Sequence, residues 1–285
     1  MKEFQLEIIR WIQQFNNGFL DSLFEDITMF GEELIAILII AFMYFCYNKQ
    51  LAKKLTYIML TSMTFNGIIK NIVKAPRPIG EEGIRSLRVE TATGYSFPSG
   101  HTQTAATLYT SLSLFIKKRW ASILTTIIII LVAISRLYLG VHYPADVIVG
   151  AFLGIAFAFG GNYLYDHYKK ENYLFGITAI IFIPFAIFFA IDNSALSADF
   201  FKLYGLFVGA FLALVFEKKY VNFTIPKAIW KKAIRLALGL LIIIGIKEGL
   251  KIVFPDVFYL HFIRYFLMAF VGFGLYPMLF KKLRF

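Results

Sequence analysis

From Trp120 to Ile134 the chain carries no charged side chain. A helix needs about 20 apolar residues to cross the hydrocarbon core of a bilayer, and this run is close to that length. Comparable runs recur, placing expected spans near 32–47, 51–73, 100–116, 120–139, 146–165, 173–191, 200–216, 233–253 and 262–280. Inside a bilayer no water satisfies backbone N–H and C=O groups, so each crossing must satisfy its own, as a helix does. The expected fold is all-α, a polytopic membrane helical bundle of about nine spans. Composition agrees: 59% of residues are hydrophobic and 16% charged, against about 45–50% and about 25% in soluble domains.

Residues 3–20 lack a continuous apolar run. Phe4, Ile8, Ile12, Phe15 and Phe19 recur at helical spacing with Glu7, Arg10, Gln13, Gln14 and Asn17 between them, the pattern of an amphipathic helix lying on a membrane surface. Glu3 and Glu7 stand where a cleavable signal would have a basic head, so none is expected. The net charge of +11 is no nucleic-acid footprint, because the basic residues sit in short loops between apolar runs. Those after odd-numbered spans hold Lys49, Lys53 and Lys54; Lys117, Lys118 and Arg119; Lys169 and Lys170; and Lys218, Lys219, Lys227, Lys231 and Lys232. Lys281, Lys282 and Arg284 follow in the tail, and 191–199 holds no basic residue. Lys and Arg accumulate on the cytoplasmic side. The expectation is a multi-pass cell-membrane protein with a cytoplasmic C-terminus and the 75–98 loop outside. The single cysteine, Cys46, excludes an internal disulfide and a cysteine metal site.

Ionisable residues gather at the expected outer edge. Lys70, Lys74 and Arg77 close the second span, and Ser99, Gly100 and His101 open the third. Arg136 closes the fourth, and His142 and Asp146 precede the fifth, with Pro144 between them at the first helical position. Charges beside apolar spans are functional candidates because moving them out of water is costly. The long 75–98 connection, with Glu81, Glu82, Arg85, Arg88 and Glu90, reads as a wet, mixed-charge cap. Tyr138 and Tyr143 read as interface-belt aromatics, and His167 as an ordinary loop histidine.

Three stretches together resemble the signature of the type 2 phosphatidic acid phosphatase superfamily. Lys70 is followed after six residues by Arg77-Pro78; then come Pro98-Ser99-Gly100-His101; then Ser135-Arg136, five residues, His142, three residues, and Asp146. The likeness covers roughly residues 1–166. Many bacterial members place a further span before the amphipathic helix, and residues 171–285 add about four spans outside the likeness. The expected division is a phosphatase core over 1–170 and additional membrane helices over 171–285.

The resemblance implies roles. Lys70, Arg77, Ser99, Gly100 and Arg136 would bind phosphate; His142 would be the nucleophile, forming a phosphohistidine; Asp146 would orient it; His101 would protonate the leaving oxygen and then activate water. Lys74 either contacts substrate or snorkels. No cofactor is expected, and no spacing suggests a carboxylate metal cage. The implied function is an integral membrane lipid phosphatase removing a terminal phosphate at the outer face, from phosphatidate, phosphatidylglycerophosphate or undecaprenyl diphosphate. A lipid phosphotransferase using the same phosphohistidine, and a lipid transporter or scramblase, stand as alternatives. The expected partners are the lipid phosphate and membrane lipids, with no nucleic acid. The C-terminal helices are open to pairing two copies as a homodimer. Lys247 and Lys251 repeat the four-residue spacing of Lys70 and Lys74, and with Arg264 they offer a second cationic patch beside the site. The alternative is that Lys247 pairs with Glu248 or snorkels and the bundle is structural.

Overall fold

The computed structural model describes residues 2–168, 170–192, 197–255 and 257–282. Lys169, Arg284 and positions 193–196, on which part of the expected sidedness rests, lie outside them. Among the described residues the chain is helical, without strands. The helices are α1 (Lys2–Gln13), α2 (Gly18–Met29), α3 (Glu33–Phe42), α4 (Lys49–Val73), α5 (Gly100–Ile116), α6 (Arg119–Tyr138), α7 (Pro144–His167), α8 (Glu171–Asp192), α9 (Ala198–Phe216), α10 (Ile229–Val253), α11 (Phe258–Ala269) and α12 (Met278–Lys282). Wider π turns extend α3, α9 and α11.

Every expected span coincides with helix, but five helices are long and apolar enough to cross a membrane by those criteria alone: α6, α7, α8, α9 with its extension, and α11 through Phe280. A sixth is α2 with α3, bent by 47° at their junction. The expected count of nine therefore also needs α4, α5 and α10, which fall short for a physical reason. In two of them polar residues face the interior: Thr102, Gln103, Thr104 and Thr107 of α5, itself 17 residues long, are buried, as are Lys53, Thr56 and Asn71 of α4, whereas α10 carries Lys231, Lys232, Arg235, Lys247, Glu248 and Lys251 along its length. Interior polar groups lower a segment's hydropathy without exposing it to water.

Residues 3–20 do not form one helix. Asn17 takes an extended conformation and its side chain accepts a hydrogen bond from the Leu20 N–H, 2.9 Å; this N-cap starts α2 afresh. On α1 the face carrying Leu6, Ile9 and Gln13 is buried, while Phe4 and Trp11, and Phe15 just beyond, are exposed.

The chain divides into two compact units. One comprises Met1–Ala36 and Ile68–Asn162, the other Ile37–Gly67 and Tyr163–Phe285; the hairpin at 37–67 thus clusters with the C-terminal helices. In the second unit Tyr44, Phe45, Phe223, Phe273, Tyr276 and Phe280 stack edge to face, and Arg235 lies 4.0 Å over the Phe280 ring. Glu217, fully buried, pairs with Lys49 at 2.6 Å, and Glu171 with Lys53 at 3.2 Å. Two of the lysines read as loop cations thus neutralise carboxylates, one fully buried and one half-buried.

In the first unit, α5 packs on α6, and α1 and α2 also lie against α6. The 74–99 connection is tied down rather than left as a wet cap. Arg85 pairs with Asp21, and Arg88 with Glu32 at 2.8 Å. The Gln13 amide donates to the carbonyls of Arg85 and Tyr138, both 2.7 Å, and accepts from the Arg85 N–H at 3.0 Å. Gly140 has φ +66°, and a Cβ there would collide with the Arg85 carbonyl, so only glycine brings the 139–143 turn this close to the connection.

Candidate active site

Tyr143 precedes α7 and Pro144 opens it. Asp146 then falls in the first turn, where a carboxylate can reach back to the residue before the helix. It does: Asp146 Oδ2 accepts the Tyr143 N–H at 2.8 Å. The same oxygen lies 3.2 Å from His142 Nδ1. One carboxylate oxygen therefore both caps α7 and holds the imidazole.

The other ring nitrogen of His142, Nε2, lies 3.0 Å from Arg77 Nη1. A guanidinium can only donate, so Nε2 is the acceptor and the ring proton sits on Nδ1, toward Asp146. His142 is buried. Burial, followed by the charges of Arg77, Arg136, Lys70 and then His101, pushes its pKa well below the ordinary imidazole value. The ring is therefore neutral near pH 7, with the Nε2 lone pair available.

Arg77 fixes the surrounding loop through the backbone. Its Nε donates to the Gly94 carbonyl at 3.0 Å, Nη2 to Thr93 at 2.7 Å, and Nη1 to Val141 at 2.9 Å. Lys70, buried in the last turns of α4, donates to the Tyr95 carbonyl at 2.6 Å. Lys74 ends that helix in a left-handed conformation and is exposed.

Arg136 is fully buried. Its Nη1 donates to Thr28 Oγ1 at 2.8 Å, while Nε and Nη2 are buried without a hydrogen-bond partner. A buried guanidinium with open donors is costly unless an anion meets it. His101 likewise has a buried Nε2 without a partner.

Ser99 caps α5: its Oγ accepts from the Thr102 N–H and lies 3.0 Å from Thr102 Oγ1. The Ser99 N–H donates to the Asp146 carbonyl at 3.0 Å, joining the starts of α5 and α7. Gly100 is the first residue of α5. A Cβ on Gly150 would lie 2.7 Å from the Ser99 carbonyl oxygen, so glycine there admits the close approach of α7.

The structure thus links Lys70, Arg77, His142 and Asp146 through contacts and shared loop anchors, with Arg136 and His101 within electrostatic reach of His142. Sequence reading missed Ser96. It is fully buried, donates to Asp146 Oδ2, and has its Oγ 3.3 Å from His142 Nδ1. It lies inside the long connection, where nothing in spacing or composition marks it. Gln13 on α1 and Thr28 on α2 were missed as well, since their spacing and composition mark no site role. Tyr138 and Tyr143 are not belt aromatics: both are buried, and the Tyr138 hydroxyl donates to Asp21 at 2.6 Å. Beside Asp146 a cavity of ≈ 330 Å³ is lined by Val73, Ala75, Pro76, Phe97 and Tyr143, with Lys2 at its rim.

Comparison with known proteins places the chain in a family. Residues 51–170 match the PAP2 superfamily, and residues 201–285 match the PAP2 superfamily phosphatase transmembrane extension. A probable sphingosine-1-phosphate phosphatase of Dictyostelium discoideum is 30% identical over 66% of this chain and 51% of its own length. An undecaprenyl-diphosphatase of Sulfolobus acidocaldarius is 29% identical over 53% of this chain and 73% of its own. The chain thus spans about half of the first and about three quarters of the second. The crystal structure of a transmembrane PAP2-type phosphatidylglycerolphosphate phosphatase from Bacillus subtilis aligns with a TM-score of 0.51 at 24% identity, over 59% of this chain and 88% of that one, a likeness of fold. The helical architecture and the two adjoining family matches together make this chain a membrane member of the PAP2 superfamily that carries the family's transmembrane extension.

Proposed function

We propose that the chain is a lipid phosphatase that removes a terminal phosphate from a lipid monophosphate or diphosphate through a phosphohistidine on His142, without metal. The observation that carries this reading is the imidazole held between Asp146 at Nδ1 and Arg77 at Nε2. Asp146 supports the positive charge that the ring gains as it attacks. The Arg77 N–H that now meets Nε2 marks where a phosphoryl oxygen sits once phosphorus is bonded to that nitrogen. The open donors of Arg136 suit the remaining phosphoryl oxygens, and Lys70 adds charge.

In the first step the Nε2–P bond forms and the P–O bond to the lipid breaks, His101 giving its proton to the leaving oxygen. In the second, His101 takes a proton from water as the water oxygen attacks phosphorus and the N–P bond breaks, releasing inorganic phosphate. The apolar walls of the cavity beside Asp146 suit the lipid part. The exposed Phe4, Trp11 and Phe15 suit a membrane surface. The site faces the extracytoplasmic side in this reading, from the distribution of Lys and Arg.

The test is phosphate release by the purified protein from phosphatidate, phosphatidylglycerophosphate and undecaprenyl diphosphate, with and without chelator. The reading expects release that survives chelation, is blocked by vanadate, and is absent in His142→Ala. Turnover unaffected by vanadate, or retained in a folded His142→Ala protein, would overturn it. A phosphorylated acceptor in place of free phosphate would make the protein a transferase.

A further inference from the structure

The second unit holds a cation that the chemistry above does not use. α10 and α11 meet where Gly272 faces Ile243: a Cβ on that glycine would lie 2.7 Å from Ile243 Cγ1. Between the two helices runs a groove of ≈ 520 Å³, walled by Gly245, Ile246, Gly249 and Leu250 on α10 and by Leu267 and Val271 on the other side. No charged side chain lines it. A Cβ added to Gly245 or Gly249 would meet nothing within 4 Å, so these glycines keep the groove floor low.

Arg264 stands one helical turn before Leu267, at the same helix level as the far end of the groove. Counted from the Ile243–Gly272 contact, Leu250 and Arg264 both lie roughly 10–12 Å along antiparallel helices, at 1.5 Å per residue. Arg264 is 7% exposed. Its Nη2 meets His261 Nδ1 at 3.2 Å and its Cζ lies 5.3 Å from the Tyr265 ring centroid. Its Nε is buried without a hydrogen-bond partner. Among the described residues no carboxylate forms an ion pair with it. A buried guanidinium that meets an imidazole and keeps an open donor calls for an anion. Lys251, the other end of the patch anticipated from the sequence, is exposed, and Arg264 alone carries the argument.

We propose that this groove binds one anionic phospholipid of the surrounding bilayer, with an acyl chain over Gly245 and Gly249 and the phosphate on Arg264. An apolar channel with a buried cation level with its far end, unpaired with any carboxylate among the described residues, complements that ligand in shape and in charge. The site is independent of the phosphatase chemistry, because a phosphodiester lipid offers no terminal phosphate to remove.

Native mass spectrometry of the purified, detergent-solubilised protein tests it, with phosphatidylglycerol and phosphatidylcholine of equal chain length as probes. The wild type should retain phosphatidylglycerol preferentially. Arg264→Met should weaken that binding by at least about tenfold, the worth of one charge-assisted contact, and leave phosphatidylcholine unchanged. Its melting temperature should not fall, because the exchange removes an unpaired buried charge. Gly249→Leu fills the groove floor without touching the cation and should weaken both lipids. Absence of headgroup preference in the wild type, or unchanged phosphatidylglycerol binding in either folded variant, would overturn the proposal. Should Arg264→Met fail to fold, Gly249→Leu decides alone.

Discussion

Replacing Arg136 with Met separates a phosphate-binding role from a structural one, because the two predict opposite changes in stability. The guanidinium is fully buried, one nitrogen donates to Thr28, and two have no partner. In a purely structural role, removing it costs the Thr28 contact, about 1 kcal/mol, and the packing of the side chain, which Met largely restores. It also removes a desolvated charge, and replacing buried charge by well-packed apolar groups is neutral or stabilising by about 1–4 kcal/mol. The folded variant should therefore melt at or above the wild-type temperature. Activity should move the other way. The open nitrogens are suited to two charge-assisted bonds to phosphoryl oxygens, each worth about 1.5–3 kcal/mol. Losing them removes about 3–6 kcal/mol of transition-state stabilisation, or roughly 10²–10⁴ in kcat/KM. Thermal unfolding in detergent and phosphate release, measured on the same preparation, give both numbers. A variant that loses more than about 2 kcal/mol of stability while keeping turnover would refute the reasoning and make Arg136 a structural tie to Thr28.

Asp146→Asn removes the charged partner of His142 Nδ1 and should cost about 10- to 100-fold in kcat, the worth of one charge-assisted bond, less than His142→Ala. Ser96→Ala should cost about tenfold or less on the same scale; a larger loss than for Asp146→Asn would invert the assigned order. The depressed pKa of His142 means that its neutral form persists as pH falls through the ordinary imidazole range, about 6.5. Nuclear magnetic resonance of histidine-labelled protein should show one ring, absent from His142→Gln, still neutral at pH 6; a midpoint near 6.5 for that ring would contradict the burial and charge argument. A cysteine introduced at Glu82 should react with impermeant reagent outside intact cells, and one at Lys118 should not. The reverse pattern would put the site on the cytoplasmic side.

Much of the helical architecture was legible because span-length apolar runs in a bilayer allow little else. The polar positions of the signature stood out for the same reason, as charges beside apolar segments. What their spacing did not carry is how they are held. Ser96 touches Asp146 and His142 from inside a long connection, Thr28 reaches Arg136 from another helix, and Gln13 clamps the connection from α1. Each is a long-range contact made by a residue of ordinary polarity, which local pattern cannot reveal. Tyr138 and Tyr143 misled because an aromatic residue at a span end has the same local context whether it meets lipid or protein. Asn17 stopped the first helix early although the apolar periodicity continued to Phe19. The capping hydrogen bond was stronger than the pattern there. The grouping of 37–67 with the C-terminal helices depends on aromatic packing around Phe45 that begins more than a hundred residues downstream.

The central claim is a covalent phosphoryl group on His142. The direct measurement is rapid mixing of the purified protein with lipid phosphate radiolabelled at phosphorus. An alkaline quench preserves phosphohistidine, and peptide mapping locates the label. The account predicts acid-labile label on the peptide containing His142 within the first turnover, decaying as phosphate appears, and none in His142→Ala. Label on another residue, or phosphate accumulating through the first turnover with no labelled protein, would contradict it.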